Sequence, residues 1–186
     1  MNYYLALVHA PVKNKLGEEV TTSVTNLDIH DIARSARTFG FKHYFIVTPI
    51  TEQQVLVGRI LGHWQTDTAN EYNPDRQSAL SYIKLVNTVA EAAAQIEALE
   101  GVKPLVVVTG ANFKKYDGDE KALKQRIMLD NKPILLLFGT GWGLSDSLTN
   151  VADFKLEPIF GTAQDEYNHL SVRSAVAIYC DRLARN

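Results

Sequence analysis

The chain reads as an α/β protein, a mostly parallel sheet with helices on both faces. Three observations predict this. Strand and helix signals alternate from one end to the other, the pattern of strands joined by crossover helices. The apolar run Ile134-Leu135-Leu136-Leu137-Phe138 stops abruptly at Gly139-Thr140-Gly141-Trp142-Gly143, as a buried strand does where it feeds a tight turn. The carboxyl end of such a strand is where ligands sit in α/β proteins. The chain has 186 residues, 46% of them apolar and 22% charged, enough for one globular domain, 1–186, with a proper core.

The elements follow in order. Tyr4 to His9 is the first strand. Pro11 to Thr25 is polar and reads as a long loop, a type of segment more often functional than idle. Asp28 is suited to cap a helix in which Ile29, Ile32, Ala33, Ala36 and Phe39 keep helical spacing, and Gly40 closes it. His43 to Thr48 is a second strand, stopped by Pro49. Glu52 to Trp64 has helical spacing at Val55, Leu56, Arg59, Ile60 and His63. Gln65 to Tyr82 is polar, with Asn73-Pro74-Asp75 as a turn signal. Ile83 to Val86 is a short strand, and the alanine-rich helix after it ends at Gly101. Leu105 to Thr109 is a strand, Lys114 to Asp119 a charged turn, Glu120 to Leu129 a short helix. After the strand at Ile134 comes another at Phe154 to Leu156. The last helix runs from Asn168 to Arg185, with Asn168 as its cap.

Composition excludes several classes. The net charge of −2 gives no whole-protein attraction to polyanions, so nucleic acid would need a local basic patch. The lone Cys180 excludes an internal disulfide framework and a cysteine-rich zinc site. The five histidines show no zinc-ligand spacing, and no metal is expected. The N-terminal run lacks a basic leader, and no apolar stretch is long enough to cross a bilayer. A cytoplasmic protein with no membrane partner is expected.

Three strand ends run into glycine: Val108-Thr109-Gly110-Ala111, Phe138-Gly139-Thr140-Gly141-Trp142-Gly143-Leu144, and Pro158-Ile159-Phe160-Gly161. Together they outline one pocket lined mainly by backbone. The middle turn lacks the Lys-Ser or Lys-Thr pair of a phosphate loop and the spacing of a dinucleotide fingerprint. By itself it is a tight connection or a ligand cradle. His30, Asp31, Arg34 and Arg37 share the polar side of the first helix, either as a solvated face or as a grip on a polyanion. Lys13 and Lys15 precede that helix and, with Arg34 and Arg37, are the candidates for the local basic patch that nucleic acid would need. Asn168, His169, Leu170, Ser171, Arg173 and Ser174 cluster at the start of the last helix. No nucleophile-elbow pattern surrounds any serine there.

In combination these blocks resemble the SPOUT (SpoU-TrmD) class of S-adenosylmethionine-dependent RNA methyltransferases. The resemblance is closest to its small stand-alone group that also occurs fused to tRNA guanine methyltransferases. Asn26 to Gly40 is similar to the first motif of the ribose-methylating branch, with Arg34 on the arginine position. Leu137 to Ser145 is similar to the second motif. Glu157 to Gly161 with Asn168 to Ala175 is similar to the third. The resemblance implies a C-terminal deep trefoil knot, a homodimer with the site completed at the subunit interface, and an RNA substrate, tRNA or rRNA. It implies S-adenosyl-L-methionine held by Thr109, Gly110, Ala111, Phe138, Gly139, Thr140, Gly141, Trp142, Gly143, Leu144, Pro158, Ile159, Gly161, Asn168, His169, Leu170, Ser171 and Ser174. Methyl transfer to a ribose 2′-hydroxyl follows from the first block, with Arg34 as orienter and charge stabiliser and Asn26, His30 and Ser171 in support. Gly141 stands where the second motif usually has a glutamate, and Ser171 where the third usually has an asparagine. A base nitrogen therefore stays open as the acceptor, as does a cofactor- and RNA-binding module without catalysis.

Overall fold

A computed structural model gives the structure and describes residues 2–165 and 167–185. Six parallel strands form its sheet: β1 (Tyr3–Val8), β4 (His43–Val47), β5 (Ile83–Val86), β6 (Leu105–Val108), β7 (Ile134–Gly139) and β8 (Phe154–Lys155), in the order β5-β4-β1-β7-β6-β8. Two short strands, β2 (Val12–Lys13) and β3 (Glu19–Val20), pair antiparallel as a separate hairpin. This hairpin occupies the segment expected to be a loop.

The central strands are apolar throughout because both faces of the sheet are covered. On one face Tyr3, Leu5, Leu7, Tyr44, Ile46, Leu136 and Phe138 pack with side chains of α1 (Asn26–Thr38), α6 (Glu120–Asp130) and α8 (Val172–Ala184). On the other, Tyr4, Ala6, Val8, Phe45, Val47, Leu135 and Leu137 pack with Val89, Ala92 and Ile96 of α5 (Val89–Glu100). The alternation in β1 is strict, odd residues to one layer and even residues to the other, as a pleated strand requires.

Four local readings are corrected by the structure. The cap of α1 is Thr25, not Asp28. The Thr25 hydroxyl accepts from the Asp28 N–H at 3.2 Å and donates to the Asp28 carboxylate at 2.6 Å, a side-chain N-cap. The polar stretch 65–82 holds two helices, α3 (Asp67–Tyr72) and α4 (Pro74–Leu80). Asn73 caps α4 and Pro74 opens it, a helix-start signal rather than a turn. In α2 (Thr51–Trp64) Val55 and Leu56 are exposed and only Val57 is fully buried. Ile60, Leu61 and Trp64 pack against the core from its edge. Finally, α8 starts at Val172 with Ser171 as its cap, its hydroxyl accepting from the Ser174 N–H at 3.2 Å.

Candidate functional site

From β1 the chain crosses through α1 to β4 on one side, while β7 lies on the other and is followed by α7 (Asp146–Thr149) and then β8 beyond β6. The direction of winding reverses between β1 and β7, and ligands favour the carboxyl edge at such a point. Val8 pairs with Gly139 there. Thr140 Oγ1 donates to the Val8 carbonyl at 3.0 Å and is in short contact with the Thr22 hydroxyl. Thr22 Oγ1 lies 3.1 Å from His9 Nδ1. His9 is fully buried and its Nε2 has no hydrogen-bond partner. Burial pushes the imidazole pKa down to about 4, with the Asp28 charge acting the other way.

The glycine turn is built from close contacts. A Cβ on Gly139 would stand 2.5 Å from the Leu144 nitrogen and 2.8 Å from the Gly143 carbonyl carbon. Gly141 and Gly143 adopt φ of +59° and +102°, which side chains disfavour. The hairpin braces the turn from outside: Trp142 N–H donates to the Lys13 carbonyl at 3.0 Å, and Lys13 N–H to the Gly143 carbonyl at 2.8 Å. Part of the turn's backbone is thus committed internally. Gly143 still faces open space, with nothing within 4 Å of where its Cβ would be, and Trp142 beside it is exposed.

The neighbouring loops are tied to the same edge. Thr109, buried at the end of β6, donates from Oγ1 to the Leu137 carbonyl at 2.9 Å. Gly110 lies against the Phe113 ring, 2.8 Å from where a Cβ would be, and Ala111 is exposed. In the segment 158–171, of which Glu166 is outside the described residues, Asn168 Nδ2 donates to the Ile159 carbonyl at 2.8 Å. A Cβ on Gly161 would stand 3.0 Å from the Tyr167 carbonyl. This segment therefore doubles back on itself, with Pro158 buried and His169, Leu170, Ser171 and Ser174 exposed. The glycine turn, the 109–111 loop and the 158–171 segment thus follow three adjacent strands, β7, β6 and β8, at one edge of the sheet.

The first-helix residues go to two places. Asn26, Leu27, His30, Asp31 and Arg34 form one wall of an open groove of about 580 Å³, and Arg59, Ile60, His63, Trp64 and Arg76 of α2 and α4 form the rest. Asp31 lies 4.0 Å from Arg34 and 3.5 Å from Arg173. Burial first, then the charges of Arg76 and Arg34, lower the His30 pKa against the pull of Asp31. Arg37 is not in this groove. Its guanidinium bonds Ser78 and Tyr82 hydroxyls at 3.0 Å each and lies over the Tyr82 ring, near the amino end of β4. Lys13 pairs with Asp146 at 2.8 Å beside the glycine turn, and Lys15 is exposed on the hairpin. Sequence reading missed Arg59, His63, Trp64 and Arg76 as one group. The available signal was the four-residue spacing of Arg59 with His63 and Ile60 with Trp64. Among the described residues no helix is long and apolar enough to cross a membrane, and no set of His, Cys, Asp or Glu is gathered for a metal ion.

This fold is that of the SpoU-like methylases. A probable methylase family protein from Haemophilus influenzae Rd KW20 superposes with a TM-score of 0.63 at 15% identity, covering 98% of this chain and 65% of that one. The SpoU methyltransferase AviRb from Streptomyces viridochromogenes, solved with AdoMet, gives 0.53 at 18% identity, covering 99% and 56%. The chain belongs to the SAM-dependent RNA methyltransferase family, whose model matches residues 2–185. It is 46% identical over 182 residues to the tRNA (guanine-N(1)-)-methyltransferase of Oleidesulfovibrio alaskensis, a match covering 98% of this chain and 42% of that relative. The chain thus spans less than half the length of this relative.

Proposed function

We propose that the chain methylates a ribose 2′-hydroxyl of tRNA or rRNA, as a homodimer knotted through its C-terminal loops. The observation that carries this is the gathering of Asn26, His30 and Arg34 on one groove wall, in a chain of an RNA methyltransferase family. S-adenosylmethionine, when bound, supplies an activated methyl group on a sulfonium. The residues to hold it are those of the three loops: Thr109 to Ala111, Phe138 to Leu144, and Pro158, Ile159 and Gly161 with Asn168 to Ser171 and Ser174. Their backbone groups and the open side of Gly143 suit a flat base and a ribose.

The protein's own work is alignment. In the transfer an O–CH₃ bond would form, the S–CH₃ bond would break to leave a neutral thioether, and the hydroxyl proton would pass to solvent water. Arg34 is donor-only, so it orients a phosphate and stabilises charge rather than taking that proton. It lies two helical turns past Asn26, on an exposed face of α1. This distance from its own carboxyl edge favours service at the partner subunit's cofactor loops. Ser171 is engaged as a helix cap and has a supporting part at most.

A second reading, transfer to guanine N1, is favoured by the name of the Oleidesulfovibrio relative. Labelled S-adenosylmethionine is incubated with the protein and bulk tRNA or rRNA, and the RNA is digested to nucleosides. A 2′-O-methylnucleoside supports the proposal, and 1-methylguanosine supports the second reading. Cofactor binding without product supports a non-catalytic module.

A further inference from the structure

The groove between α1, α2 and α4 is more than the setting of Arg34. Three cations from three different helices, Arg34, Arg59 and Arg76, converge on it. Among the described residues Asp31 is the only acidic one lining it, and its carboxylate is shared between Arg34 and Arg173. Among the side chains described, no ion pair engages Arg59 or Arg76. Two lining residues each bury a side-chain nitrogen with no hydrogen-bond partner, Arg76 Nε and His30 Nδ1. Such a concentration of positive charge in a protein of net charge −2 calls for an anion.

Planar groups stand among the cations. Arg76 lies over the Trp64 ring at 5.2 Å. His30 and His63 meet Trp64 edge-on, with centroids 5.6 and 5.8 Å away. From Asn26 to Arg34 the wall extends ~12 Å along α1 at the usual rise per residue, longer than one phosphate needs. The groove is open rather than enclosed, which suits a polymer. Arginines for phosphates beside aromatic rings for bases are how unpaired RNA is held, whereas duplex RNA is held mainly by its shape.

We propose that this groove seats an unpaired RNA segment, with Arg34, Arg59 and Arg76 on its phosphates and the Trp64 cluster against a base. The proposal rests on the methyl-transfer reading for its purpose, since the groove would lead the strand towards the site Arg34 serves. Its evidence is independent of the cofactor.

Binding of a short fluorescein-labelled single-stranded RNA of mixed sequence is followed by anisotropy over a salt series, with its annealed duplex alongside. Arg59→Ala and Arg76→Ala are each expected to weaken single-strand binding. Each should also lower the slope of log affinity against log salt by about 0.7, the value for one phosphate contact on a single strand. Trp64→Phe is expected to keep affinity, and Trp64→Leu to lose about tenfold with the slope unchanged. Cofactor affinity, read by calorimetry, is expected to hold in the arginine variants and reports their folding. Unchanged affinity and slope in the Arg59→Ala/Arg76→Ala double variant would overturn the proposal. So would equal duplex binding, or a changed oligomeric state with RNA binding intact, which would give the groove to a second copy of the chain. A wild-type protein that binds RNA through these arginines but binds no cofactor removes the methyl-transfer reading and leaves the groove standing.

Discussion

Arg173 Nη1 donates to Asp28 Oδ1 at 2.8 Å, joining the first turn of α8 to the first turn of α1. The Asp28 side chain is only 7% exposed, and the Thr25 hydroxyl donates to its other oxygen at 2.6 Å. One buried carboxylate thus holds the Thr25 hydroxyl that caps the helix carrying Arg34 and anchors the helix that follows the 158–171 loop. A motif near the start of the chain and one near its end are held in one frame by this pair.

Arg173→Ala leaves the Asp28 charge buried with only neutral partners. Breaking a fully buried pair costs about 3–5 kcal/mol, and the partial exposure of Arg173 reduces this to roughly 1–3 kcal/mol. Urea denaturation is expected to show that loss. The double variant Arg173→Ala/Asp28→Asn should recover part of it, because no lone charge remains. A double variant worse than the sum of the singles would contradict the pairing.

His9 makes stability depend on pH. Its folded pKa is lowered to about 4, so between that value and the unfolded value near 6.5 the unfolded chain binds the extra proton. The contribution is complete above the unfolded pKa and fades as pH falls towards the folded one. The loss comes to about 3 kcal/mol at most, at 1.36 kcal/mol per pH unit. Denaturation midpoints of wild type and His9→Gln, taken from pH 7 to pH 4, should differ in slope, the variant being flatter. Equal slopes would place the acid sensitivity elsewhere.

The glycine turn predicts different outcomes at neighbouring positions. Gly139→Ala puts a carbon 2.5 Å from the Leu144 nitrogen, an overlap that only backbone movement relieves, so cofactor affinity is expected to fall more than tenfold. At Gly143 there is space for a methyl group but a φ of +102°, so alanine there costs about 1–3 kcal/mol of backbone strain. Calorimetric titration with S-adenosylmethionine and thermal melts separate the two: losses of binding and of stability at Gly139, and at Gly143 a stability loss from backbone strain. Unchanged binding in Gly139→Ala would remove this turn from the cofactor site.

What was legible in the sequence follows from what local pattern encodes. The strands of the sheet centre could be read because burial on both faces leaves nothing but apolar residues between Tyr3 and Val8 and between Ile134 and Phe138. Helix α4 could not, because it buries little: only Ala79 and Leu80 are inside. Cap positions were misread where several capping residues stand close together. Thr25 and Asp28 take complementary parts of one motif, and Asn168 spends its amide on the Ile159 carbonyl while Ser171 caps α8. The candidate site was half legible. Asn26, His30 and Arg34 lie on one helix and share a visible period, but Arg59, Trp64 and Arg76 join them only by tertiary packing, which no local pattern records.

The most direct test of the central claim compares wild type and Arg34→Ala in two assays on the same preparations: S-adenosylmethionine affinity by calorimetry, and transfer of labelled methyl to bulk tRNA or rRNA in a single turnover. Arg34 is exposed and its one ion pair among the described residues, to Asp31, is loose at 4.0 Å, so the variant should fold and bind cofactor as wild type does. Transfer is expected to fall by at least a hundredfold, about 2.7 kcal/mol in the barrier. Undiminished transfer by Arg34→Ala, with cofactor bound, would contradict the account.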